Sequence, residues 1–246
     1  MHTLPSRSRG VRLALAVGLV AVGVGGAGAV HAFVQSQSKT PSANTEAGLS
    51  DAQRNALYEQ NTAAFETRLK AWYAHLDQQH LDLRTLRRVG MMASVEPPAA
   101  DTLAAALAKA DAAVTVVVTA VHTAQASAMA LPESDVTVTV VGQAKGSVAH
   151  SIVVHQLGGV IPTLDWSGAM IEDADGQPML LPGDRAVLLL TRSADGGSYR
   201  LESYTGEYLV DAGGDVAAMP GNPFHDQVTG LTEQAFHAVV AAALHN

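Results

Sequence analysis

The sequence predicts an α+β protein: a small, mostly antiparallel β-barrel or sandwich with helices packed outside it. Three observations predict this. First, several short runs rich in β-branched residues follow residue 112, separated by Gly- and Pro-containing turns. Second, the 40 residues after Ser50 lack Pro and reach Gly only at Gly90, with large apolar residues at helical spacing. Third, the last 15 residues repeat that helical spacing after a capping Thr232.

Taken in order, Leu13–Val30 comes first. It is eighteen residues without a charge, preceded by Arg7, Arg9 and Arg12. Basic residues before an apolar run are the pattern that sends the remaining chain across a membrane. Residues 1–34 therefore read as a signal anchor through residues 11–34, or as a signal peptide cut after Ala29 or Ala32. In either case residues 35–246 lie outside the cytoplasm, anchored to the cell membrane or secreted. Gln35–Gly48 is polar and small, so residues 35–49 read as a tether.

Ser50 with Gln53 forms a capping-box start for the 50–90 amphipathic helical segment. Its stripe runs Leu57, Phe65, Leu69, Trp72, Leu76, Leu83 and Leu86, with Arg84, Arg87 and Arg88 in the last turns, where cations suit the helix dipole. The stripe thins at Asp77–His80, where one long helix would divide into two. Phe65, Leu69, Trp72 and Leu76 are the face expected either to cover the β domain or to dock a partner.

Residues 91–246 form the β domain with its flanking helices. After Pro97-Pro98 a short helix is expected over Asp101–Ala110. Strands are expected at Ala113–His122, Asp135–Val141, Ser151–Leu157, Arg185–Thr191, Ser198–Tyr204, Glu207–Val210 and Asp215–Met219. Val136, Val138 and Val140 alternate with Thr137 and Thr139, giving one buried and one wet face. Gly158–Asp184 reads as a long loop. The final helix carries Phe236, Val239, Val240 and Leu244.

The succession from Ala110 onward carries a resemblance. Ala110-Asp111, Lys145-Gly146, Gln156 with Gly158-Gly159, Pro182-Gly183-Asp184-Arg185 and Leu188–Leu190 follow one another in fixed order. Over about residues 110–220 the chain resembles the exported, Ala/Val-rich barrel proteins common in actinobacteria. That resemblance implies an OB-like barrel, similar to the modules of the tissue inhibitors of metalloproteinases, and brings no catalytic residue with it. Those inhibitors depend on cysteines that this chain lacks, so inhibition is not carried over.

Composition narrows the function. With no Cys, the chain has no disulfide scaffold, thiolate-ligated metal or thiol nucleophile. Residues 91–246 carry seventeen acids against five bases, a net charge of −12, which repels a phosphate backbone. Nucleic acid is therefore not an expected partner. Gly-x-Ser-x-Gly is absent, and Gly142–Ser147 has the wrong order for a phosphate loop. The ten histidines form no His-x-x-x-His pair; His75 with His80, and His150 with His155, point to different faces. Asp173-Ala174-Asp175-Gly176 opens like a calcium loop but lacks its later acids, so an acidic turn and no cofactor are expected, with a weak calcium site near Asp165 and Glu172 as the alternative. Aromatic residues remain, with Trp166, Tyr199 and Tyr204 as the expected recognition surface and Tyr208 expected in the core.

The expectation is thus a non-enzymatic extracytoplasmic module binding a protein or envelope component. One alternative is an envelope-assembly protein oligomerising through the 57–89 helix. Another is an enzyme whose acids, Asp165, Glu172 and Asp173, assemble only in the fold.

Overall fold

The computed structural model describes residues 50–76, 81–91, 100–124, 132–174, 177–201, 205–219 and 222–244. The expected anchor and tether, together with His80, Pro97-Pro98, Asp175 and Tyr204, lie outside the described residues. Among the described residues no helix is long and apolar enough to cross a membrane.

The fold is mixed α+β around a closed five-stranded barrel. Its strands are β2 (Ala112–Ala124), β3 (Glu133–Lys145), β4 (Ser151–Pro162), β6 (Arg185–Arg192) and β7 (Tyr199–Leu201). β2 pairs antiparallel with β3 and with β6, and β3 pairs antiparallel with β4. β7 closes the ring, antiparallel to β6 and parallel to β4 through only Val154↔Tyr199 and His155↔Arg200. Three register shifts between β2 and β3 supply the local coiling that a closed barrel of long strands requires. Further strands extend the sheet: β1 (Arg88–Met91), β5 (Ala169–Ala174), β8 (Glu207–Val210) and β9 (Val216–Ala218).

Strict alternation fills the barrel. Val136, Val138 and Val140 from β3 meet Val114, Val116 and Val118 from β2, with Ile152, Val154, Leu188 and Leu190, all buried. The opposite face of β6 and β8 packs Val187, Leu189 and Tyr208 under α2 (Leu103–Lys109) and α4 (Glu233–Leu244). A one-turn helix, α3 (His225–Val228), adds Val228 to that second core. Tyr208 is fully buried against Phe236, as its place on an alternating strand implies.

Several motif residues act as joints. Lys145 donates from Nζ to the carbonyls of Leu107 (2.5 Å) and Ala110 (2.6 Å), closing the C-terminus of α2. Gly146 has φ +76°, and a Cβ there would collide with the Asp111 carbonyl oxygen, so only glycine fits. The Asp111 carboxylate accepts from the backbone N–H of Arg192 at 2.8 Å.

Two expectations are corrected. The Gly158–Asp184 segment is not one loop, because β4 runs through Gly158-Gly159 to Pro162 and then pairs with β5. Gly158, at φ +100°, kinks the strand, and Gly159 lets it pass so close that a Cβ would lie 2.5 Å from Thr123 Cγ2. These glycines redirect a strand instead of ending it.

The second correction concerns the helical segment. Ser50 and Gln53 do form the reciprocal capping box, at 2.8 and 3.3 Å, and helix α1 runs Asp51–Leu76. Beyond it lie a 3-10 turn, Leu83–Thr85, capped by Asp82, and then β1. Leu83 and Leu86 are three apart, a spacing that suits one 3-10 turn as well as a helix. Arg84 and Arg88 pair across the fold, not with a helix terminus. Arg84 reaches Asp184 at 2.7 Å, and Arg88 reaches both oxygens of Asp173 at 2.6 and 2.9 Å.

Candidate functional site

The C-terminal half of α1 lies on a third apolar cluster, Val160, Ile171, Met179 and Leu181, against which Trp72, Leu76, Leu83 and Leu86 pack. Leu69 and Tyr73 are buried, and the Tyr73 hydroxyl donates to the Val160 carbonyl at 2.9 Å. Burial and the neighbouring Glu172 carboxylate push the Tyr73 phenol above its ordinary range. Thus two of the four residues expected as a partner face, Trp72 and Leu76, pack on the chain's own β domain, and a third, Leu69, is buried. The fourth, Phe65, packs edge-on against Trp166 with ring centroids 5.5 Å apart.

Where α1 ends, a groove of about 520 Å³ opens. One wall is Leu76, Leu81, Asp82, Leu83 and Arg84; the other is the second half of β2, Thr119–Thr123; Val160 and Pro182 complete it. Its size falls within the range of small-molecule and peptide pockets, roughly 300–1,000 Å³. Sequence reasoning missed it because its walls are about 40 residues apart in the chain and meet only through the docking of α1.

A buried polar seam lies behind this region. β4 and β8 do not pair, and side chains span the gap: Gln156 Nε2 donates to Glu207 Oε2 at 2.9 Å and to the Pro178 carbonyl at 3.1 Å. Gln156 Oε1 accepts from the Leu180 N–H at 3.1 Å. Glu207 Oε1 is buried with no hydrogen-bond partner among the described residues. Burial, reinforced by Asp184, raises the Glu207 carboxyl from 4.5 to about 8. It is therefore mostly protonated at neutral pH.

The expected acidic site does not assemble. Asp165 accepts from the Thr163 and Ser167 hydroxyls, at 2.7 Å each, inside its own loop, which holds its carboxyl down to about 2. Glu172 is buried, which raises its carboxyl to about 7. Asp173, on the opposite face of β5, is paired with Arg88. Among the described residues no group of three metal-ligating side chains is arranged to hold an ion.

The expected aromatic surface also disperses. Tyr199 is buried inside the barrel, contrary to its expected recognition role, because it begins the strand that closes the ring. Trp166 adopts φ +64° at the tip between β4 and β5 and lies under the Arg68 guanidinium, 4.3 Å from the ring centroid.

One constellation was not foreseen. Asp135 and His155 are cross-strand neighbours on β3 and β4. His155 Nδ1 lies 2.6 Å from Asp135 Oδ1, and Nε2 lies 2.8 Å from Ser198 Oγ. Those are the distances of an acid–base–nucleophile relay. Ser198, however, is buried and also lies 2.9 and 3.0 Å from the two carboxylate oxygens of Asp195. The Gly197 and Ser198 N–H groups, the nearest candidates for oxyanion donors, are turned into that same carboxylate. An acyl oxygen brought to Ser198 would meet a carboxylate instead of donors. The network is built to pin the β6–β7 turn onto β3 and β4. Only the Asp135–His155 contact was within reach of the sequence, through hairpin register.

Compared with protein-family models, curated proteins and solved structures, the chain matches none.

Proposed function

We propose that this protein is a non-enzymatic binding module held outside the cytoplasm, tethered through residues 11–34, with its ligand site in the groove beneath α1. The barrel follows the OB-like pattern that the Lys145-Gly146 and Pro182–Arg185 motifs suggest, and the parallel β4–β7 closure supports that assignment. The ligand is a protein or an envelope component. Nucleic acid is disfavoured by the net charge of −12 over residues 91–246.

One observation carries the reading: the groove is walled on both sides by this chain and lined by apolar side chains together with Asp82, Arg84, Thr119, His122 and Thr123. Apolar walls with a few polar groups are the ordinary make-up of a binding cleft. The assembly reading loses support because the helix stripe is already used by the chain's own core.

Site-specific photo-crosslinking in intact cells tests the site. Crosslinkers at Thr119 and Ala120 should capture a discrete partner species, whereas one at Val239, on the far side of the second core, should not. Equal labelling at all three positions, or none at the first two, would overturn the site. A reporter active only in the cytoplasm, fused after Asn246, should be silent; strong activity would overturn the localisation.

A further inference from the structure

We propose that Asp135, His155, Ser198 and Asp195 form a proton-operated clasp on the barrel seam, which fastens β7 when both ring nitrogens of His155 carry hydrogen and slackens it when the ring is neutral. None of the four residues lines the groove, so the clasp is independent of the binding reading. Hydrogens decide its state. A carboxylate only accepts, so the 2.6 Å contact to Asp135 requires a hydrogen on His155 Nδ1. In a neutral imidazole that leaves Nε2 bare. Ser198 Oγ lies 2.8 Å from Nε2 and 2.9 and 3.0 Å from the two oxygens of Asp195, with one hydroxyl hydrogen to serve both neighbours. One of those contacts then sets lone pair against lone pair. A proton on Nε2 removes the conflict: Nε2–H donates to Ser198, and the Ser198 hydroxyl donates to Asp195. Every contact is then a hydrogen bond, and both ends of the chain are charge-assisted.

The surrounding charges favour the same state. By register, one row across the sheet runs His122 on β2, Asp135 on β3, His155 on β4 and Arg200 on β7. Glu133 stands two residues along β3 on the same face. Asp195 comes from the β6–β7 turn, where the Ser198 hydroxyl and the Gly197 N–H hold its carboxyl below the ordinary range and His155 adds to the effect. Two carboxylates of the network thus flank the imidazole, against one neighbouring cation, Arg200. His155 is partly exposed, so solvent protons reach it. Histidine is the side chain that ordinarily changes charge between pH 5 and 8.

Position gives the clasp its leverage. β7 joins β4 through only two residue pairs, the shortest pairing in the ring. Ser198 directly precedes β7, and Tyr199, the first residue of that strand, is buried in the barrel. The protonated network is the satisfied one, so the clasp holds on the acid side and is lost as pH rises.

Hydrogen exchange of the full chain in detergent, compared at pH 5 and pH 8, tests this. Protection of Tyr199–Leu201 is read relative to Val136–Val140, because Glu207 and Glu172 act on the whole fold. In the wild type the relative protection of β7 should fall at least about tenfold between the two pH values, the worth of one hydrogen bond to a charged group. Asp195→Asn supplies the missing hydrogen from an amide in the place of Oδ2, while its Oδ1 keeps the Gly197 and Ser198 N–H groups. β7 should then keep its acid-side protection at both pH values. His155→Gln removes the titrating ring, and the relative protection should no longer change with pH. Equal loss in β7 and Val136–Val140 of the wild type, or no loss in either, overturns the clasp, and that measurement needs no variant. A fall that persists undiminished in either variant also overturns it, by placing the titrating group elsewhere.

Discussion

The interior of the barrel and the underside of α1 are both apolar clusters, yet they are held in different ways. Inside the barrel, Val136, Val138 and Val140 face Val114, Val116 and Val118 across a continuous backbone ladder, so pattern and pairing specify the same arrangement. Beneath α1, no ladder joins helix to barrel. The contact depends on side chains far apart in the chain: Tyr73 to Val160, 87 residues on, Arg84 to Asp184, 100 on, and Arg88 to Asp173, 85 on. A barrel of this kind can keep its shape while the helix side shifts. That places the groove at the more adjustable of the two regions, where a ligand site is expected.

The largest expected effect breaks the barrel side. Phe236 is fully buried against Tyr208 in the core shared by the sheet, α2 and α4. Phe236→Ala should lose about 3–5 kcal/mol of stability, as large-to-small changes in packed cores do. Trp72→Ala, at a half-buried position, should lose less than half of that. Chemical denaturation of the two variants checks the ranking, and a larger loss for Trp72→Ala would invert the comparison.

The next effect is electrostatic and separates the regions by pH. Glu207 belongs to the barrel seam and Glu172 to the helix side, and burial raises both carboxyls from 4.5, to about 8 and about 7 respectively. The folded chain then holds protons that the unfolded chain releases. The contribution of these groups to stability is full below about pH 4.5 and falls as pH rises to the folded values, then levels off. Glu207→Gln should match the wild type near pH 4 and exceed it at pH 9. The gain is a few kcal/mol at most, since each tenfold difference in proton affinity between folded and unfolded chain is worth about 1.4 kcal/mol. Glu172→Gln should gain less and stop gaining at about pH 7. Thermal melts from pH 4 to 9 would show this, and equal pH profiles for both variants and the wild type would remove the buried-acid reading.

The same division explains what could be read from the sequence. The strand over Glu133–Lys145 announces itself by period-2 alternation, and those over Ala112–Ala124 and Arg185–Arg192 by short β-branched or apolar runs bounded by turns, all encoded within a few residues. Thr232 as cap of the last helix is legible for the same reason, its Oγ1 accepting from Ala235 N–H at 3.2 Å. β1 and β5 are not legible: each is short, and they pair parallel to one another across more than 80 residues. The helix-like spacing of Leu83 and Leu86 misleads because it does not record that Arg84 and Arg88 have carboxylate partners elsewhere. Tyr199 misleads because the turn beside it suggests exposure, whereas the β4 edge that it closes buries it. The groove was invisible, since none of its walls forms a motif.

A smaller effect tests how α1 is fastened. Tyr73 contributes one hydrogen bond to the Val160 carbonyl from a buried position. Tyr73→Phe keeps the ring and should lower stability by about 1 kcal/mol. It should also speed hydrogen exchange in Leu69–Leu76 without changing that of Val136–Val140. Equal acceleration in both segments would mean that helix and barrel unfold as one unit.

The smallest effect concerns the outermost contact between the two regions. Trp166 holds a left-handed backbone conformation that bulky residues rarely adopt, fixed by the Asp165 hydrogen bonds around it. Its ring is clasped between Phe65 and the Arg68 guanidinium, so the β4–β5 tip is latched to the middle of α1. An exposed cation–π contact is worth about 0.5–1 kcal/mol, so Arg68→Ala should barely move the melting temperature. The latch itself should respond more visibly. In a Trp72→Phe background, where Trp166 is the remaining tryptophan, Arg68→Ala should shift its emission to the red and increase its quenching by iodide as the ring becomes wetter. The Asp165 turn holds its acid form back to about pH 2, so the same emission should stay constant from pH 8 down to pH 4. An emission unchanged by Arg68→Ala would show that Phe65, and not the Arg68 guanidinium, latches the β4–β5 tip to α1.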